Sequence, residues 1–191
     1  MSKGLEHFHT GQTGLLLMTW DNGDRTVLVN PNLGGITMGW NLHHTAQDEL
    51  FAAIGGTAFH TRVILDRRSE YGAPSQRVIN GGGVPQNNPV LNQVYANVLG
   101  RPVRVPSSKV TGVGSAIFAF LAAKTFRTIE EAQPQICPAH TKFSPHPDEN
   151  RVYDELYPIY RRIYFDLGKT GRDSHFGDVL PKPIQIAPTK S

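Results

Sequence analysis

The residues best suited to chemistry lie between Arg77 and Phe120, in RVINGGGVPQNNPVLNQVYANVLGRPVRVPSSKVTGVGSAIFAF. A strand-like run ends at Asn80, and Gly81, Gly82 and Gly83 follow without a break. Consecutive glycines let the backbone take positive φ and remove the Cβ atoms that would hold a ligand away. Asn87 and Asn88 stand where a helix begins, and Pro89 suits its first turn. Leu91, Val94, Tyr95, Val98 and Leu99 recur at helical spacing and give that helix one apolar face. Gly100 stops it, and Pro102–Pro106 reads as the next strand. A glycine turn opening onto a helix N-terminus gathers N–H donors and positive dipole, which suits a phosphate or a nucleotide.

Other patterns carry less. Gly112-Val113-Gly114 opens a helix after a strand, yet Ile117 occupies the place of the third glycine of a dinucleotide turn, and no acid ends a following strand. A close-packing glycine pair near the nucleotide is expected instead. Gly168-Lys169-Thr170 copies the end of a phosphate-binding loop, but Ile163 stands where its first glycine belongs. His7, His9, His43 and His44 lack a cysteine or carboxylate at ligand spacing, so they read as exposed or capping residues. Cys137 carries no sign of activation. With no GxSxG and no carboxylate pair identifiable by spacing, the chain shows a binding apparatus without chemistry of its own.

The elements that must position the glycine turn follow from periodicity. Leu15–Trp20 reads as a short buried strand, and Asp21–Gly35 as a loop dense in turn formers, in which Arg25-Thr26 is structural. Ala46–Arg68 reads as a long helix that Gly55-Gly56 interrupts, each glycine costing about 1 kcal/mol against alanine. Thr111–Phe126 reads as a helix whose small residues permit close approach to a sheet or nucleotide. Thr128 with Glu131 is a capping box before a short helix, Gln133–Asn150 reads as mostly loop, and Val152–Leu167 as a helix. Tyr153, Tyr157, Tyr160 and Tyr164 share one face of that last helix, a stripe expected in the core. Residues 1–14 read as an extended lead-in and 169–191 as a polar tail.

Composition sets outer limits. At 191 residues, 39% hydrophobic and 18% charged, the chain is ordinary for a soluble protein with a real core. A net charge of +3 with scattered basic residues gives no stripe for nucleic acid. No apolar run approaches a membrane span, and the start lacks a signal sequence. A single cysteine fits a reducing cytosol, so a cytoplasmic protein is expected, with neither nucleic acid nor membrane as a partner.

GGGVPQNNPVLNQVYANVLGRPV followed by GVGSAIFAFLAAKTF resembles the adenosine-binding half of the FGGY family of carbohydrate kinases. The likeness runs from about Gly11 to Gly168. It implies an α/β fold, a ribonuclease-H-like lobe of the actin/hexokinase type, incomplete on its N-terminal side. On that basis residues 15–168 form the C-terminal ATP-binding domain between lead-in and tail. Carried over by position, Gly83 lies close to the adenosine and phosphate side of ATP. Gly82 allows backbone approach, and Asn87 hydrogen-bonds adenine or ribose. The resemblance implies ATP with Mg2+, ATP or ADP as ligand, and a ketopentose bound only together with an N-terminal lobe; it leaves a homodimer open. No catalytic residue is assigned, and the isolated chain is expected to be inactive. The alternatives are part of a xylulose or glycerol kinase, or a non-catalytic actin-like lobe that binds nucleotide or a partner. Similar kinases usually carry an acid where Gly55 stands, so this position is a departure.

Overall fold

The computed structural model describes residues 4–108 and 110–169. Two short strands open it, β1 (Leu16–Met18) and β2 (Ile36–Met38), paired antiparallel with Leu16 opposite Met38. Between them a loop is tied down by buried Asp24. Its carboxylate accepts the N–H groups of Thr26, Val27 and Leu28. Thr26 is thus part of the loop's own scaffold, as expected for a structural role.

Helix α1 (Ala46–Glu70) starts at Thr45, whose hydroxyl accepts the Asp48 N–H while the Asp48 side chain accepts the Thr45 N–H. Gly55 and Gly56 do not interrupt it: the helix runs on for 25 residues. Gly56 answers a packing need, because a Cβ there would overlap the carbonyl oxygen of Leu17 in β1. Gly55 is buried but meets nothing within 4 Å, beside a cavity of about 30 Å3 that would hold one water.

The second sheet has the order β3-β4-β5. Strand β3 (Val78–Ile79) runs parallel to β4 (Val103–Pro106), joined by the one-turn helix α2 (Gly83–Gln86) and by α3 (Pro89–Leu99). Asn88 caps α3 by accepting the Leu91 N–H, and Gly100 ends it at φ 59°, as the residue types foretell. Helices α4 (Val110–Ala122) and α5 (Ile129–Ile136) pack on each other; then β5 (His140–Phe143) returns antiparallel to β4, and α6 (Pro147–Gly168) closes the fold. The stretch expected as loop from Gln133 to Asn150 therefore holds the end of α5, a strand, and the first turn of α6. Glu131 also departs from a closed capping box: its backbone N–H donates to Thr128, but its carboxylate accepts the N–H of Arg127.

The main core lies between α1, α3 and α6. Tyr153, Tyr157, Tyr160 and Tyr164 are all buried there: Tyr157 and Tyr160 stack on Phe59, Tyr153 meets it edge-on, and Tyr160 stacks on Tyr164. Their hydroxyls are placed as well: Tyr157 donates to Asp66, Tyr160 to the Gly56 carbonyl and Tyr164 to Asp24. Burial raises the tyrosine hydroxyls well above their ordinary range, so they stay protonated donors. The lead-in is part of this packing rather than extended chain. Leu5 is buried, Phe8 meets Phe51 at 5.2 Å, and Thr10 donates to Glu149 of α6. Of the tail only Lys169 lies within the described residues.

Candidate nucleotide-binding site

The turn that follows β3 is held from below by amides. Asn80 donates its backbone N–H to the Arg104 carbonyl of β4 at 2.9 Å and its side chain to Asn92 at 3.1 Å. Asn92, fully buried in α3, donates in turn to the Pro85 carbonyl at 2.7 Å. Gln86 bridges α2 to the Pro106 and Ser108 carbonyls at 3.2 and 2.6 Å. Asn92, a buried amide with both its oxygen and its nitrogen satisfied, fixes the backbone more sharply than apolar contact would. Asn80, Gln86 and Asn92 escape sequence reasoning. The one available signal is Asn92, a polar residue next to the apolar face of α3.

The three glycines differ in what they do. Gly81 faces α4, where an added Cβ would come within 2.7 Å of the Val110 side chain. Gly82 takes φ 117°, a conformation reserved for glycine, and Gly83 begins α2. Neither Gly82 nor Gly83 has any atom within 4 Å of where a Cβ would sit, so their backbone faces open space. Asn87 caps the C-terminus of α2 and its side chain donates to the Gly83 carbonyl at 2.7 Å. The structure thus brings Gly82, Gly83 and Asn87 together on one exposed ledge, with Asn87 Oδ1 as the acceptor left to offer.

Two expectations change. The glycines open onto α2, a single turn, and the first donors of α3 are met by Asn88, so no long helix dipole points at the turn. No charged side chain occurs from Asn80 to Asn88, and the ledge suits the neutral nucleoside end of a nucleotide better than its phosphates. Gly112 and Gly114 do not pack closely against anything: both meet open space within 4 Å. Of α4, Ile117 alone is buried, with Phe118 64% exposed.

The remaining candidates have structural surroundings. His44 contacts the Thr13 carbonyl and accepts the Asn41 N–H. No group of three His, Cys, Asp or Glu able to hold a metal occurs among the described residues. Cys137 is exposed and unpaired with sulfur. Gly168 ends α6 rather than a strand, and Thr170 lies outside the described residues. No described helix is long and apolar enough to cross a membrane.

Residues 5–123 match the model of the C-terminal domain of the FGGY family of carbohydrate kinases. The sequence is 34% identical to a ribulokinase of Geobacillus thermodenitrificans over 179 residues, 91% of this chain and 32% of that protein. Among solved structures, the fold matches xylulose kinase from Rhodospirillum rubrum with a TM-score of 0.68 at 24% identity, over 81% of this chain and 30% of that one. It also matches Plasmodium falciparum glycerol kinase with ADP, with a TM-score of 0.63 at 18% identity, over 81% and 31%. This chain belongs to the FGGY family of carbohydrate kinases. Its fold is that family's C-terminal, actin-like lobe, and it spans about a third of the length of the curated relatives it matches.

Proposed function

We propose that this chain supplies the nucleoside-binding part of an ATP-dependent ribulokinase, which transfers the γ-phosphoryl group to a hydroxyl of the ketopentose. The observation that carries the proposal is the 34% identity to ribulokinase along 91% of the chain. The open ledge at Gly82, Gly83 and Asn87 supports the placement of the nucleotide. In this assignment Gly82 and Gly83 let the nucleoside lie against bare backbone, and Asn87 Oδ1 accepts from the adenine amino group or a ribose hydroxyl. The setting is the cytoplasm and arabinose catabolism.

Phosphoryl transfer rests on positioning and on electrostatic stabilisation around metal-bound phosphates. No group of three or more His, Cys, Asp or Glu able to hold a metal occurs among the described residues, so Mg2+ would be held by the nucleotide phosphates and the rest of such a kinase. Sugar contacts and terminal-phosphate contacts fall to the rest of such a kinase. The chain alone is therefore expected to bind ADP and ATP weakly and almost equally, and to show no pentose phosphorylation.

Titration calorimetry with ADP tests the site. Gly83→Val fills the open face with a branched side chain without touching protein, so it should fold and lose most of the affinity. Asn87→Ala should cost less, about 0.5–1.5 kcal/mol for a neutral hydrogen bond, or roughly 2- to 10-fold. Unchanged affinity in a folded Gly83→Val protein would move the nucleotide elsewhere.

A further inference from the structure

The three-stranded sheet carries a second site on the face turned away from α3. Alternation puts Val103 and Val105 inward, against Ala96 and Leu99, and turns Arg104 and Pro106 outward. The register places Arg104 beside Ile79 of β3 and directly opposite Lys142 of β5. Arg77, at the head of β3, stands one diagonal step from Arg104. Three cations from three adjacent strands therefore form a row on one face.

Like charges directly opposite each other destabilise a sheet unless something neutralises them. Nothing among the described residues does so. Among the described residues none of these three side chains makes an ion pair or a side-chain hydrogen bond, and the ion pairs there lie elsewhere. On neighbouring α5, Glu131 turns its carboxylate to the Arg127 N–H.

Arg77, Arg104 and His140 line an open cavity of about 590 Å3, with no Asp or Glu among the described residues of its wall. The α4 side of the cavity is apolar, with Val110, Val113 and Ile117, while Gln133, Pro134 and Cys137 line it from the α5 side. The volume falls within the range of small-molecule sites, about 300–1,000 Å3. Guanidinium forks match phosphate oxygens in geometry and charge, and an apolar wall suits an organic body.

We propose that this cavity binds a small phosphate monoester, its phosphoryl group held by Arg77 and Arg104 and its organic part laid against α4. The site is separate from the nucleotide ledge, because Gly82, Gly83 and Asn87 do not line it. The two adjoin at Val110, which walls the cavity and backs Gly81, and at Pro106, which lines the cavity and accepts from Gln86.

Calorimetry of the full chain with phenyl phosphate tests the proposal. One molecule should bind per chain, inorganic phosphate should bind about tenfold more weakly for want of the apolar contact, and phenol should not bind. Arg104→Gln should weaken phenyl phosphate at least about tenfold through loss of a charge-assisted pair. Its ligand-free Tm should hold or rise, since the opposition to Lys142 is relieved; a merely structural arginine would lower it. Val113→Glu places a carboxylate in the cavity and should block binding. Excess ADP should leave the affinity unchanged. The proposal is overturned by absent binding at millimolar phenyl phosphate, by parent affinity in Arg104→Gln, or by equal affinity for inorganic phosphate. Displacement by ADP would assign the anion to the nucleotide ledge instead, and tighter binding of an oligoglutamate peptide would assign the face to a protein.

Discussion

The two faces of the three-stranded sheet meet opposite fates. Against α3, Val103 and Val105 are buried with Ala96 and Leu99, next to a core in which Tyr157, Tyr160 and Tyr164 of α6 have both ring and hydroxyl placed. Against α4 and α5, the same strands present Arg77, Arg104 and His140 to an open cavity, and α4 leaves Phe118 and Phe120 in solvent. Stability resides on the first side. The second side and the glycine ledge are where a ligand can reach backbone or charge. Residues that look alike in the sequence therefore have very different consequences when changed, depending on the side to which they fall.

Four substitutions sharpen that contrast. Ile163→Ala, at a fully buried position of α6, should be the most damaging, at about 2–5 kcal/mol in a denaturant titration, because a large-to-small change leaves a cavity in close-packed surroundings. Gly56→Ala should follow at about 1–3 kcal/mol, since the new methyl group meets a backbone carbonyl that cannot swing aside.

Asp24 gives the third, read in acid. Burial alone would raise its carboxyl, but hydrogen bonds from Tyr164 and from the Thr26 and Leu28 N–H groups, with His60 beside it, hold it below the ordinary 3.8. A depressed carboxyl contributes stability that is present above the unfolded value and lost as pH falls through the folded one. Melting temperature should therefore be insensitive to this group from neutral pH down to about 4 and fall below that. In Asp24→Asn that acid limb should flatten, from a lower neutral-pH plateau. Phe118→Ala should be the smallest change, within about 0.5 kcal/mol, because its ring is mostly in water already. A loss near that of Ile163→Ala would mean that α4 is packed after all, and the contrast between the faces would fail.

The sequence made the long periodic elements legible and the short ones opaque. Helices α1, α3 and α6 are carried by apolar repeats over several turns, and Asn88, Pro89 and Gly100 mark the ends of α3. Strand β5 is HTKF, with three exposed residues, and its membership in the sheet comes from β4, not from its own pattern. Helix α2 begins on a glycine and holds a proline, so it reads as part of a turn. At the ledge, residue type marked a glycine turn before a helix, while the roles given to Gly82, Gly83 and Asn87 come from the family resemblance. The supports at Asn80, Gln86 and Asn92 depend on partners brought in by β4 and by the start of α3, which no local spacing encodes. Gly55 and Gly56 show the reverse error: propensity treated both as helix breakers, while burial in α1 and the close approach of β1 explain Gly56.

The bonds made by α6 also set the order in which the molecule can assemble. Tyr164 reaches Asp24 across 140 residues of chain, and Tyr160 reaches Gly56 across 104. Closing loops of that length costs entropy that only the finished contacts repay, and contacts so distant along the chain slow folding. During synthesis the apolar faces of α1 and α3 are made long before the helix that covers them. The nascent chain therefore carries an uncovered core until α6 emerges, and in that interval its solubility depends on whatever else can shield Phe51, Phe59 and Val94.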